Sequence, residues 1–504
     1  MKNRQDYPSV NNLLEPGRQN PAVNEFSLPV QTEALIDRQH QIMKKDFDRM
    51  TGARKQLFGT NGVRGIVGTD MTPGLVLRIG MALGAMRAGC IGVGRDTRTS
   101  GPALSSAMKA GLMASGCDVV DCGILPTPAL QYLVREEFDA GAMITASHNP
   151  GEWNGVKVIE PDGTEMGDEE TIELEDRLAR DDFILASWSA VGRETAMPAG
   201  ADRYVDAVSR SFAPDTGSGM TVVVDPGSGA AAATTPAILS RIGCRVFTIN
   251  GQMDGRFPGR KPEPSVQGLE GLSELVRGTG AAFGVAHDGD ADRAVFVDES
   301  GNFVSENQEF AIIADHICAK RKGAVVTPVS SSNLIRDIAL RNGCTVEYTP
   351  VGSIYVARRM RDLITSGIPV AFGGEGNGGL IYPDHQFCRD GGMTAATMVS
   401  ILDHEKKPLS ALVAALPRYT MINRKMKVDD AAGLIGAVEQ AFAGDTVDLR
   451  DGIRIDRRST WALIRPSGTE PFVRLTVESD QERTAQGFED ELMHCIRPFV
   501  KEIL

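Results

Sequence analysis

The stretch MTVVVDPGSGAAAATTPAILSRIGCRVFTI, Met220 to Ile249, decides the architecture. Val222, Val223 and Val224 make a short β-branched run that ends on Asp-Pro and a Gly-Ser-Gly turn, the composition of a strand stopped sharply. Alanines, Ile238 and Leu239 then fill a helix-length segment closed by Gly243, and the residues up to Ile249 read as the next strand. Strand, small-residue turn, helix and strand in direct succession argue for a parallel or mixed α/β sheet.

The same order occurs on either side. Before it, GCIGVGRD leads into GPALSSAMKAGLMASG, with Leu104, Met108 and Leu112 on one helical face and Gly116 as a stop, and then into DVVDCG and DAGAMITAS. After it, GAVVTPVSSSNLIRDIALRNGCTVEYT runs on to IPVAFGGEGNGG. Three related α/β units are therefore expected. The C-terminal segment differs: WALIRPSGTEPFVRLTVES reads as two strands around a loop, followed by a final helix from Glu482 to Val500, a smaller α+β domain. The N-terminal fifty residues are polar, with Leu35, Ile36, Ile42, Met43, Phe47 and Met50 at roughly helical spacing, which predicts a tail ending in a helix. Expected boundaries are 1–50 for this extension, then 51–198, 199–303, 304–412 and 413–504.

Bulk properties narrow the partners. A chain of 504 residues with a net charge of −13 repels nucleic acid and anionic membranes, so neither is expected as a partner. The eight cysteines are scattered without a C-x-x-C pair, as in a protein kept reduced. With no apolar leader and no run of eighteen apolar residues, a soluble cytoplasmic protein is expected. No heptad seam or long apolar edge indicates an oligomeric state.

Four short stretches carry chemistry. In GVAHDGDADRAVFVD, Asp288, Asp290 and Asp292 alternate, which in an extended segment turns their carboxylates to one side. Three such groups repel unless a cation joins them, and oxygen ligands select Mg²⁺, Mn²⁺ or Ca²⁺. An EF-hand is disfavoured because Arg293 stands where that loop needs glycine; a solvated acidic turn is the other alternative. In WALIRPSGTEP, Arg465, Ser467, Gly468 and Thr469 offer a guanidinium, two hydroxyls and loosened backbone to a phosphate; a plain hairpin turn is the alternative. FGGEGNGGLI holds Glu375 between glycines, with Asn377 nearby, as a carboxylate on exposed backbone for sugar hydroxyls or as a solvated turn. MITASHNPGEWNGVK sets Ser147 beside His148 without the G-x-S-x-G elbow of hydrolases. An exposed serine can instead carry a phosphoryl group, neutralised by a metal, with Lys157 moving a proton. LFGTNGVRGIVG places Arg64 in a Gly-rich loop near the start of the first domain, weak evidence alone.

Taken together, TASHNP, DGDADR, GEGNGG and RPSGTEP resemble the four signature loops of the α-D-phosphohexomutases, in order and spacing. FGTNGVRG, GRDTRTSG, VVVDPGSG and DGRFPGRKPEP agree, and the resemblance extends over roughly residues 55 to 500. It implies three related mixed α/β domains around a central cleft plus a smaller C-terminal α+β domain, each giving one loop to the site. Ser147 would be the phosphoserine, and with its phosphate Asp288, Asp290 and Asp292 would hold Mg²⁺. Arg293, His148 and Arg64 would flank the phosphoryl group, and Lys157 would exchange the proton. Glu375, with Asn377 in its loop, would grip the sugar; Arg465, Ser467, Gly468 and Thr469 would bind the unreacting phosphate. The loop YTPVGSIYV would bring Thr349 and Gly352 to the substrate. It has Pro350 and Ser353 where relatives often place a lysine and a histidine or aspartate, and Asn377 replaces a frequent serine. A hexose 1,6-bisphosphate would be intermediate and activator. Within the family, LFGTNGVRG looks most like the opening of members that act on glucosamine phosphates, and GGEGNGGLI is similar to archaeal-type members. The resemblance thus implies conversion of glucosamine 6-phosphate to glucosamine 1-phosphate, with mannose or glucose phosphates as the alternative. A pentose phosphate, or non-catalytic sugar-phosphate binding, is more remote.

Overall fold

A computed structural model of the chain describes residues 57–59, 61–466 and 472–504. The N-terminal extension, with its expected helix, lies outside them, as do Ser467, Gly468 and Thr469. Three mixed α/β sheets follow one another, and a wholly antiparallel sheet closes the chain. The first sheet has a parallel core of Cys90–Arg95, Asp118–Ile124, Ala140–Ile144 and Glu194–Ala196. The second is built on Thr221–Asp225, Arg245–Thr248 and Phe283–His287, and the third on Ala324–Pro328, Thr345–Thr349 and Val370–Glu375.

One device recurs in all three. A parallel strand turns back into an antiparallel neighbour: Ala140–Ile144 into Trp153–Ile159, Phe283–His287 into Ala294–Asp298, and Val370–Glu375 into Gly379–Ile381. In the fourth sheet Thr460–Pro466 pairs with Phe472–Ser479 in the same way. In the three α/β sheets each turn springs from the carboxyl end of a strand, where such sheets bind ligands. The connecting helices stop on left-handed glycines followed by cysteine, Gly116 (φ 90°), Gly243 (φ 101°) and Gly343 (φ 70°), as the sequence pattern predicts.

Packing divides the molecule unevenly. A single apolar core runs from Leu130 and Leu133 through Phe283 and Phe296 to Phe310 and Phe372, so the three α/β units are fused. The C-terminal domain has its own core of Met426, Val438, Ile455, Val477 and Leu492. It meets the third unit through a small apolar cluster, Val329, Trp461 and Leu463. Around this seam Arg454 lies 4.2 Å from the Trp461 ring, while Glu478 accepts from the Trp461 indole N–H and the Asn333 backbone N–H, each at 2.7 Å.

Two expectations need correction. The final helix ends at Ile496, and Val500–Ile503 forms an edge strand against Thr420–Val428. Pro498, lacking an N–H and clashing with the preceding turn, breaks the helical ladder. Arg64 belongs to a strand, Val63–Ile66, rather than to a glycine-rich loop. Among the described residues no helix is long and apolar enough to cross a membrane. All eight cysteines are free, six of them buried.

Candidate active site

The serine loop and the aspartate loop meet face to face. Ser147 takes a left-handed backbone (φ 49°), and its N–H donates to Thr145 Oγ1 at 2.8 Å. Its hydroxyl donates to Asp288 Oδ2 at 2.7 Å, whereas His148 Nδ1 stands 3.4 Å away. The adjacent histidine is thus not the serine's principal partner. The loops approach so closely that a Cβ on Gly289 would lie 2.5 Å from the Ser147 carbonyl oxygen, which explains the glycine between the first two aspartates. The segment is a tight turn rather than an extended strand, with Ala291 left-handed (φ 57°), yet the three carboxylates still converge, with ligand atoms within 4.8 Å of one another.

Burying three carboxylates is tolerable only with counter-cations. Lys157 Nζ donates to Asp290 Oδ2 at 2.7 Å and to Asp292 Oδ2 at 3.0 Å. Arg293 Nε lies 3.5 Å from Asp288 and 3.8 Å from Asp292. Thr127 adds a hydroxyl to Asp290 Oδ2 at 2.5 Å. Burial and the neighbouring Asp292 and Asp290 push the Asp288 carboxyl up to about 7. Burial acts the same way on Asp292, but Arg389, Lys157 and Arg293 outweigh it and hold that carboxyl below its usual range. Lys157, although buried, is kept above the usual lysine value by Asp290 and Asp292.

Arg293 Nη1 also donates to Glu263 at 3.0 Å, and Nη2 reaches His148 Nδ1. Burial, with Arg293 and Arg64 alongside, pushes the His148 imidazole down to about 3, so it faces Arg293 as a neutral acceptor. Arg64 Nη1 donates to Asn149 Oδ1 at 3.0 Å, which ties it to the serine loop. Asp290 Oδ1 and Asp292 Oδ1 are buried without a hydrogen-bond partner. Unpartnered oxygens beside a third carboxylate are the donor set a hard divalent cation takes, so the residues present fit such an ion.

The remaining residues divide into two groups. Glu375 is 6% exposed, not a carboxylate held out to solvent: Arg389 Nη1 donates to its Oε2 at 3.3 Å, and Asn377 Nδ2 lies 3.5 Å from the same oxygen. The reason lies fourteen residues downstream, in a cation no local pattern announces. Thr349 ends its strand and donates to the Pro350 carbonyl at 2.8 Å; Gly352 (φ 141°) opens the helix Ser353–Thr365. Ser353 donates to Glu165 at 3.3 Å, and Tyr355 to Asp168 at 2.9 Å, both in the first unit. Arg465 Nε is held by Asp451 Oδ1 at 2.9 Å, and Asp451 Oδ2 accepts the Val351 N–H at 2.8 Å. Asp451 therefore joins Arg465 to the Thr349–Ser353 loop.

Sequence reading missed the residues that hold these loops. Arg98 is fully buried, paired with Asp96 at 3.0 Å, and donates to the carbonyls of Ser147, Asn149, Pro150 and Trp153 at 2.6–2.9 Å. Arg260 likewise pairs with Asp225 and donates to the His287 carbonyl at 2.6 Å, fixing the start of the aspartate loop. The available signal was an arginine inside each of the Gly-rich stretches GRDTRTSG and DGRFPGRKPEP.

Comparison with known proteins agrees with this geometry. Four models of phosphoglucomutase/phosphomannomutase match in order: α/β/α domain I over residues 55–185, domain II over 202–301, domain III over 305–419 and the C-terminal domain over 421–494. The chain belongs to the phosphoglucomutase/phosphomannomutase family, the α-D-phosphohexomutases. A Methanopyrus kandleri protein named "Probable phosphoglucosamine mutase" is 41% identical over 457 residues, which is 88% of this chain and 99% of the relative. A Thermococcus kodakarensis protein named "Phosphoglucomutase/phosphomannomutase" is 41% identical over 446 residues, covering 86% and 96%. Among solved structures, a phosphoglucomutase/phosphomannomutase family protein from Burkholderia thailandensis superposes with a TM-score of 0.80 at 24% identity, covering 89% of this chain and 99% of its own. That likeness concerns the fold of the phosphohexomutases: three α/β domains and a C-terminal one.

Proposed function

We propose that this phosphohexomutase moves a phosphoryl group between O6 and O1 of a hexose phosphate, with glucosamine 6-phosphate to glucosamine 1-phosphate as the favoured conversion. The observation that carries it is the buried pairing of Ser147 Oγ with an aspartate loop that keeps two carboxylate oxygens unpartnered. Ser147 donates its phosphoryl group to the free hydroxyl of the bound sugar phosphate. The resulting hexose 1,6-bisphosphate turns over, and its other phosphate returns to Ser147. Asp288, Asp290 and Asp292 would hold Mg²⁺, which when bound neutralises charge on the transferring group. Arg293 and Arg64 add donors to that charge, with neutral His148 beside them. Phosphoryl transfer needs positioning and charge neutralisation above all, so this set suffices. Lys157, an ammonium in the resting site, is the candidate proton relay: it gives a proton to the departing Ser147 oxygen and takes that of the attacking hydroxyl. Glu375 accepts sugar hydroxyls, while Arg465, with Ser467, Gly468 and Thr469, anchors the phosphate at the far end; Thr349 and Gly352 line the loop beside it.

The names of the two relatives support both readings of the sugar, amino-sugar and glucose or mannose. The soluble catalytic apparatus and free thiols suit a cytoplasmic setting. A kinetic panel with Mg²⁺, a hexose 1,6-bisphosphate primer, and the 6-phosphates of glucosamine, mannose and glucose side by side tests the proposal. Fastest turnover is expected with glucosamine 6-phosphate. Folded enzyme inert toward all three would overturn the reading.

A further inference from the structure

Arg389 is fixed by its neighbours before its own side chain is considered. Its backbone bridges to Ile381, and Asp390 caps the helix Gly391–Glu405. The Asp390 carboxylate accepts the Met393 N–H and the Gln386 amide, each at 2.9 Å, and the Tyr204 hydroxyl. From this anchored point the side chain crosses Gly379, where a Cβ would lie 2.3 Å from Arg389 Cδ. The last glycine of the GEGNGG loop is thus the gap through which a guanidinium reaches the site.

At its end Arg389 joins three units. Only 7% exposed, it donates from Nη2 to Asp292 Oδ2 at 2.5 Å and from Nη1 to Glu375 Oε2 at 3.3 Å. The Asn61 amide, in the orientation that satisfies both its ends, accepts from Arg389 Nη2 at 2.6 Å and donates to Glu165 at 2.8 Å. Glu375 and Asp292 are both buried carboxylates and would repel each other without a cation between them. Asn377, at 3.5 Å, is at the limit of hydrogen bonding, so Arg389 is the principal anchor of Glu375. A planar fork can serve both acids at once, whereas a lysine ammonium is a single point charge.

We propose that Arg389 is a positioning residue that fixes the sugar-facing carboxylate of Glu375 relative to the aspartate loop. Hexose seating and phosphoryl transfer then share one frame. The proposal rests on the mutase reading above and adds a residue to it. In that role Arg389 contacts no substrate; it acts through Glu375.

The test is a double-mutant cycle on the full-length enzyme, using the hexose phosphate turned over fastest by the wild type. Arg389→Lys is expected to raise KM about tenfold with a smaller change in kcat, as loss of a charged hydrogen bond to a substrate-binding group would. Gly379→Ala, which displaces the guanidinium while keeping its charge, is expected to shift KM in the same direction. Combined with Glu375→Gln, either change should add less than about twofold, because the group it positions is already disabled. A thermal melt of each variant checks folding. If Arg389→Lys does not fold, Gly379→Ala with Glu375→Gln completes the same cycle. An unchanged KM in the folded variants, or losses that multiply with Glu375→Gln, would overturn the positioning role. Wild-type enzyme without activity on any hexose phosphate would instead overturn the mutase reading.

Discussion

The serine and aspartate loops belong to three α/β units that share an apolar core, whereas Arg465 belongs to a domain with its own core. In the first region nearly every charge is buried and countered: Ser147, Lys157 and the three aspartates are no more than 1% exposed. In the second, the Arg465 side chain is 30% exposed and oriented by one carboxylate, Asp451, that also reaches the neighbouring domain. The contrast separates two tasks. A phosphoryl-transfer centre gains from fixed dipoles and excluded water. On the proposed reading Arg465 anchors the far phosphate, and a side chain held by a single carboxylate keeps donors free for it.

Breaking the rigid side should have the larger consequences. Ser147→Ala is expected to lower mutase activity at least about a thousandfold, as removal of a covalent nucleophile does. Intact-mass measurement is expected to show one added phosphate on the wild type and none on the variant. Full activity without that phosphate would remove the serine's special standing. Arg98→Met should cost about 3–5 kcal/mol in urea unfolding, because Asp96 becomes an uncompensated buried charge and four loop carbonyls lose their donor. A change below about 0.5 kcal/mol, the range of ordinary surface substitutions, would mean that the serine loop is held by other contacts.

Changes at Arg465 should act on binding instead. Arg465→Ala is expected to raise KM about 10- to 100-fold with kcat within a few-fold, the pattern of lost phosphate anchoring. An equal fall in kcat with KM unchanged would place Arg465 with the reaction centre. The smallest effect expected is on stability. Glu309 is buried with both carboxylate oxygens unpartnered, and burial, with Glu306 beside it, holds its carboxyl well above the usual range. The unfolded chain releases that proton near pH 4 to 5 and the folded one does not, so stability falls as pH rises beyond that point. Glu309→Gln should therefore change little at pH 4 and stabilise by about 1–2 kcal/mol at pH 8. Melts of both proteins at the two pH values check the sign.

What the sequence disclosed follows the same division between local and distant causes. The α/β order was legible because strands, turns and left-handed glycines are written within thirty-residue windows such as Met220–Ile249. The candidate residues that the structure brings together, Ser147 and the three aspartates, were legible because each loop crowds its polar groups into a few residues, as DGDADR does. Arg98 and Arg389 were not, since each is a single cation acting 49 or 97 residues away on Ser147 or Asp292, and no periodicity marks it. Glu375 read as exposed for the same reason. The helix expected to reach Val500 failed on a local signal, Pro498, outweighed in the reading by the apolar residues around it.

The seam at Trp461 has an optical consequence. The chain has three tryptophans, and they occupy different surroundings: Trp188 is 92% exposed, Trp153 is half-buried and Trp461 is fully buried against Arg454 and Glu478. An indole whose N–H is bound to a carboxylate and whose face meets a guanidinium emits from a fixed, water-free environment. A rotation of the C-terminal domain would bring water to it and shift its emission to the red, so intrinsic fluorescence offers a label-free test of whether that domain moves when substrate binds.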